Sequence, residues 1–140
     1  ARLTVSGGCL IVSVPNIMNI EERLKWLFSG YTSHFKPLSR PALDAISREF
    51  PGMEEIALHV NPIGYSELRF LLEKYGFQIV RTYRDKEKKN TWAFLPLAFI
   101  IRLVSKFSSK SKRAERWTDD LNSDEVLLGG NTLIFEARKI

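Results

Sequence analysis

Two histidines, one cysteine and a cluster of cations are the side chains of this sequence with the clearest chemistry to offer. His34 lies in a loop-like stretch, Tyr31–Phe35. An imidazole with an ordinary pKa of about 6.5 takes up a proton near neutrality, so His34 is read as a general base. His59 stands just ahead of an amphipathic helical pattern. The two are too distant in sequence for a helical two-histidine metal motif, and Cys9 is the only cysteine. An intrachain disulfide and a multi-cysteine zinc site are therefore excluded, and no metal ligands are assigned. The cations Arg102, Lys106, Lys110, Lys112 and Arg113, with Arg116 behind them, follow an apolar stretch and lie between Trp92 and Trp117. They are the candidates for contact with a membrane or another anion.

The 140 residues fit one domain of ordinary size, 44% hydrophobic and 26% charged, a composition that argues against wholesale disorder. The net charge of +5 is unevenly placed. Residues 81–117 hold eleven Lys/Arg against three Asp/Glu, whereas residues 1–80 hold eight of each and 118–140 hold two against five. The body is neutral and one segment is basic, which argues against a general nucleic-acid-binding surface. The apolar run Trp92–Ile101 is about half of the roughly 20 residues a spanning helix needs, and no basic-then-apolar leader opens the chain. A reducing, cytoplasmic setting is expected, with peripheral membrane contact as an option.

Several elements must position these groups. Cys9–Val14 is an unbroken apolar run with β-branched residues, read as a strand covered on both faces. Asn19 is placed to cap the next helix, with Glu22 completing a capping box; Ile20, Leu24, Leu27 and Phe28 share a face, and Gly30 ends the helix. Residues 31–64 are rich in Pro and Gly, with a short helix predicted over Pro41–Phe50, and read as either a functional insert or a surface excursion. Leu68, Leu71, Leu72 and Tyr75 mark a second amphipathic helix ending at Gly76; Phe77–Tyr83 alternates as a strand, and Thr132–Ala137 is a last strand. Between these strands, Leu97–Ser109 has helical spacing, with Arg102, Ser105, Lys106 and Ser109 forming a polar stripe. The order β, α, insert, α, β, α, β predicts half of a doubly wound α/β fold with an antiparallel end strand.

Ser6-Gly7-Gly8-Cys9-Leu10-Ile11-Val12-Ser13-Val14-Pro15-Asn16 resembles the turn and fifth strand of class I S-adenosylmethionine-dependent methyltransferases. Asn19–Gly30 is similar to the helix that follows, and His59-Val60-Asn61-Pro62, Tyr65–Leu68 and Leu71–Ile79 to the later loop, helix and strand start. The terminal strand is similar to Thr132–Lys139. The resemblance spans most of residues 6–84 and 131–139, with no single specific motif. It implies a Rossmann-like, doubly wound sheet with an antiparallel final strand. No Gly-x-Gly occurs, so residues 1–140 would be a partial methyltransferase domain, the substrate-side half. Residues holding S-adenosylmethionine would lie upstream of Ala1, and the isolated chain would be inactive.

On that footing the enzyme transfers a methyl group to a small, lipid-linked or sugar-linked acceptor. His59, where the family often has a histidine entering the site, and His34 are the catalytic candidates. Asn16, at the carboxyl end of the first strand, would contact the acceptor, and Tyr31 and Tyr65 would line its pocket. The alternative is a non-catalytic module that uses the basic helix 97–116 to bind a membrane or a partner. For residues 91–117 three readings stand: a helix packed on the sheet with solvated charges, an anionic membrane contact, or RNA phosphate binding. The membrane reading is ahead of the RNA reading, because Phe94–Ile101 is so apolar and no RNA motif is present.

Overall fold

The computed structural model describes residues 4–33, 35, 39–49, 51, 63–88 and 91–140. Strand β1 (Cys9–Pro15) is followed by α1 (Ile20–Ser29), α2 (Arg40–Glu49) and α3 (Tyr65–Lys74). Strand β2 (Phe77–Arg84) leads into α4 (Thr91–Ser105) and three short helices, α5 (Lys110–Glu115), α6 (Thr118–Leu121) and α7 (Asp124–Leu127). Strand β3 (Thr132–Lys139) closes the order.

Among the described residues the sheet has three strands in the order β1-β3-β2, and both pairings are antiparallel. The last strand in sequence is the central one, running against both neighbours. Strands β1 and β2 point the same way but never meet. This overturns the doubly wound, Rossmann-like parallel sheet expected from the element order. The methyltransferase resemblance falls with it, and so do the enzyme and its methyl-transfer reaction. Sequence pattern identified the strands, but their order and direction depend on which pairings form.

The first strand was also misread in a physically instructive way. Its burial alternates, with Leu10, Val12 and Val14 turned inward and Cys9, Ile11 and Ser13 exposed. Ile11 is 70% exposed. An unbroken apolar run predicts cover on both faces, yet the described helices cover only one. Opposite Val12 and Val14 on β3 stand Phe135 and Leu133, both fully buried. A bulge lets Ile79 pair with Ala137 and Arg81 with Glu136, leaving Val80 extra and exposed. The covered face packs against Tyr65, Leu68 and Leu72 of α3 and Val126 of α7.

Helix α1 begins where Asn19 Oδ1 accepts the Glu22 N–H (3.0 Å) and ends at Gly30, whose φ of 75° suits a residue without a Cβ. Only half of the expected capping box forms, because the Glu22 carboxylate turns away to the Ser33 N–H (2.6 Å). Ile20 is buried, but Leu27 and Phe28 are exposed, so the predicted apolar face is covered at one end only.

A second, smaller core joins Ile20 and Leu24 of α1 to Phe94, Leu97, Ala98 and Ile101 of α4 and Leu127-Leu128. Helix α4 starts at Thr91, six residues before the predicted start, and contains Pro96. A proline removes one N–H and crowds one turn, which this helix absorbs near its beginning.

The two cores meet at a pair of buried asparagines. Asn16 Nδ2 donates to the Val126 carbonyl (2.9 Å), and Asn16 Oδ1 accepts the Met18 N–H (3.2 Å). Asn19 Nδ2 donates to the carbonyls of Asn16 (2.9 Å) and Gly130 (3.3 Å). A Cβ on Gly129 would lie 2.0 Å from the Glu125 carbonyl and 3.2 Å from Asn16 Nδ2, so the backbone passes where no side chain fits. Replacing Asn16 by Ala strands a buried carbonyl, and such an orphan costs about 1–3 kcal/mol. Urea denaturation of Asn16→Ala is expected to show a loss of about 2 kcal/mol with an unchanged m-value; a loss under about 0.5 kcal/mol would remove the asparagine from this role.

Candidate functional site

Of the predicted acceptor contacts, Asn16 and Tyr65 are buried and Tyr31 is exposed. Asn16 is fully buried and its side-chain amide is engaged with backbone at both ends. Tyr65 is the first residue of α3 and belongs to the core, its ring 5.5 Å from that of Phe135. Its hydroxyl accepts from Arg69 Nη1 (3.1 Å), and burial, aided by the Asp120 charge, pushes the phenol above its ordinary pKa. Tyr31 is exposed in the turn after α1. His34 and His59 lie outside the described residues.

A cavity of about 300 Å³ opens beside these positions. Its described lining is Ile17, Met18 and Trp26 with the polar groups of Arg23, Thr32 and Glu67, next to Gly64. Asn16, Tyr31 and Tyr65 are each one residue away in sequence from a lining residue but are not among them. Sequence reading passed over Arg23, which is anchored through Nε to the Met18 carbonyl (2.7 Å), Nη2 to the Leu121 carbonyl (2.7 Å) and Nη1 to Asn122 Oδ1 (3.1 Å). All three acceptors are neutral, and burial lowers the guanidinium pKa from its usual value. The arrangement ties α1 to α6. Among the described residues no group of three or more His, Cys, Asp or Glu is placed to hold a metal.

The basic segment is where structure and expectation differ most usefully. Of the expected polar stripe, Arg102 and Ser105 are half-buried, whereas Lys106 and Ser109 are exposed. Arg102 Nε donates to the Asn122 carbonyl (2.8 Å), and its Nη2 pairs with Asp124 (2.6 Å). Ser105 Oγ donates to the Arg102 carbonyl (2.7 Å). Arg113 folds back to the end of α4, donating to the Ser108 carbonyl (2.9 Å) and pairing with Asp119 (3.2 Å).

The outer side of α4 is nonetheless largely apolar. Trp92, Leu95, Phe99, Ile100, Leu103 and Val104 are all exposed, and Phe107 follows just past the helix. Trp92 is 74% exposed, Phe99 66% and Phe107 85%. At 3.6 residues per turn these positions cover roughly half of the helix circumference. The inner half, Phe94, Leu97, Ala98 and Ile101, is also apolar. A helix that is apolar all round is normally covered on all sides. Lys106, just past α4, and Lys110, Lys112 and Arg116, in and after α5, follow this face along the chain; all are exposed, and none has an ion-pair partner among the described residues.

Helix α4 is about 22 Å long at 1.5 Å per residue. No helix among the described residues is long and apolar enough to cross a membrane. Comparison with protein-family models, with curated proteins and with solved structures finds no match.

The loop that borders the cavity is held by charge. Glu22 is almost wholly buried; burial opposes its ionisation, but the Ser33 N–H and Lys25 (3.1 Å) outweigh it and hold the carboxyl below its ordinary value. Lys25 and Lys88 lower Glu21 likewise. Depressed carboxyl pKa values give stability that is full above the unfolded value of about 4.3 and is lost as pH falls through the folded values. Glu22→Gln is expected to cost about 1–2 kcal/mol at pH 7 and to make the acid-side loss of stability shallower. It should not become flat, because Glu21 keeps both lysines. An unchanged acid limb in chemical denaturation between pH 5 and 3 would contradict this reading of Glu22.

Proposed function

We propose that this chain docks peripherally on an anionic membrane surface through α4 and the basic turn behind it. The observation that carries the reading is the exposed apolar half of α4, followed in the chain by the exposed cations Lys106, Lys110, Lys112 and Arg116. The face carries six large apolar side chains of one helix, Trp92, Leu95, Phe99, Ile100, Leu103 and Val104, which a fluid apolar medium can cover together. The cytoplasmic leaflet, where anionic lipids give a negative surface potential, is the expected location.

Magnitudes support a requirement for both signals. Fully burying one Leu, Ile or Phe side chain contributes about 1.5–3 kcal/mol, and these side chains are already part covered, so each gains less. A Lys or Arg near an anionic surface contributes about 1 kcal/mol, hence about 4 for these four cations. Against these stands an association cost of roughly 4–15 kcal/mol, which neither contribution exceeds comfortably alone.

The test is co-sedimentation with vesicles of phosphatidylcholine alone or with phosphatidylserine. Binding is expected to the mixed vesicles only, and to fall steeply between 0.05 and about 0.5 M salt, where screening is short-ranged. Phe99→Ser with Leu103→Ser should weaken binding at least tenfold, a change of about 1.4 kcal/mol or more, with the thermal midpoint unchanged because both side chains are exposed. Equal binding of this variant would remove α4 as the docking face. Binding to no vesicle, with capture of a protein partner instead, would overturn the membrane reading.

A further inference from the structure

The charge around the end of α4 is not an even spread. A crevice of about 490 Å³ lies beside the C-terminal half of α4, lined by Phe99, Arg102, Leu103, Ser105, Lys106 and Arg113, with Asp119 and Asn122 opposite. Its two apolar members belong to the exposed face just described. Its three cations come from two helices and the turn between them, and two of the three are held in place.

Arg102 and Lys106 are one helical turn apart on the same flank of α4, a spacing at which like charges repel. Arg102 is fixed by the Asn122 carbonyl and Asp124. Arg113 is fixed by the Ser108 carbonyl and Asp119, with the Lys106 carbonyl 3.5 Å from its Nη1. Lys106 has no such anchor among the described residues. The carboxylates of Asp119 and Asp124 answer two of the three positive charges and leave one. Arg102 Nη1, Arg113 Nη2 and Lys106 Nζ are without a described acceptor, so N–H donors remain on all three groups.

Fixed guanidinium forks beside an unanchored ammonium suit a phosphate oxygen set, and planar forks are rigid receptors for it. Phe99 and Leu103 at the crevice edge would meet the apolar part of the same molecule. We propose that this crevice seats the phosphodiester headgroup of a single anionic glycerophospholipid. The inference rests on the membrane reading above and adds a discrete site to it: part of the affinity is localised at Arg102, Lys106 and Arg113 rather than spread over the surface charge.

Two exposed lysines provide the test. Lys106→Glu and Lys110→Glu change the net charge equally, and only Lys106 lines the crevice. On vesicles containing phosphatidylglycerol, a seat predicts that Lys106→Glu loses at least tenfold more affinity than Lys110→Glu. Equal losses with wild-type binding intact would discard the seat and leave the membrane reading standing. In a second arm, dihexanoyl phosphatidylglycerol below its micelle concentration is titrated and followed by amide and guanidinium NMR shifts. Saturable shifts at Arg102, Lys106 and Arg113, absent in Lys106→Glu, are the expected result. Identical shifts with inorganic phosphate, or with dihexanoyl phosphatidylcholine, would overturn the assignment to an anionic lipid. Absence of wild-type binding to any vesicle would sink the membrane reading, and the headgroup assignment with it.

Discussion

Two buried asparagines fasten the end of β1 to the chain that returns to β3. Asn16 and Asn19 between them engage the carbonyls of Val126 and Gly130, and Asn19 also caps α1. The backbone N–H of Asn16 adds a bond to the Asn131 carbonyl (2.7 Å). These bonds are buried, so the cost of breaking any one includes an unsatisfied polar group with no water to replace the partner. They sit at the junction of the two cores. Through them the position of α7, and therefore of everything that packs on it, follows from the position of β1.

That constraint decides what α4 presents. The excursion between β2 and β3 is pinned at its return by the asparagines and at its departure by Lys88, whose ammonium lies 2.6 Å from Glu21 of α1. With α1 and α7 fixed, only one flank of α4 can be covered, and Ala98 marks the closest approach. Arg102 then finds Asn122 and Asp124 on the protein side. Its burial partners are polar and local, so the large apolar residues are left on the outside. An outward apolar ridge is an aggregation hazard unless something covers it. The interfacial attachment proposed above would turn the same surface into a use, and the cations beyond it would limit that attachment to surfaces of opposite charge.

Local features and the antiparallel direction of the last strand were legible in the sequence; its place between β1 and β2 was not. Asn19 and Gly30 delimit α1, Gly76 follows α3, and Leu68 and Leu72 are buried, because caps and helical spacing depend on neighbours in the chain. The sheet order was missed because an apolar run such as Cys9–Val14 is compatible with cover on one face or two. Antiparallel placement of β3 between β1 and β2 is a property of all three strands together. Asn16 was noticed for its place at a strand end, but its carbonyl partner at Val126 is 110 positions away. Tyr65, read as a pocket residue, is a core residue because Phe135 lies beneath it. For α4 the signal was present in the apolarity of Phe94–Ile101; that Arg102 of the polar stripe is engaged with Asn122 and Asp124 depends on residues 20 and more positions away.

The central claim is that the exposed face of α4 enters the apolar margin of an anionic bilayer. The most direct measurement places a nitroxide at that face, using Leu103→Cys in a Cys9→Ser background, and compares its collision rates with oxygen and with a water-soluble nickel chelate. On vesicles containing phosphatidylserine, oxygen access should rise and nickel access should fall relative to the unbound protein, because oxygen partitions into the acyl region and the chelate does not. A label that remains as open to nickel on bound protein as in solution would contradict the account.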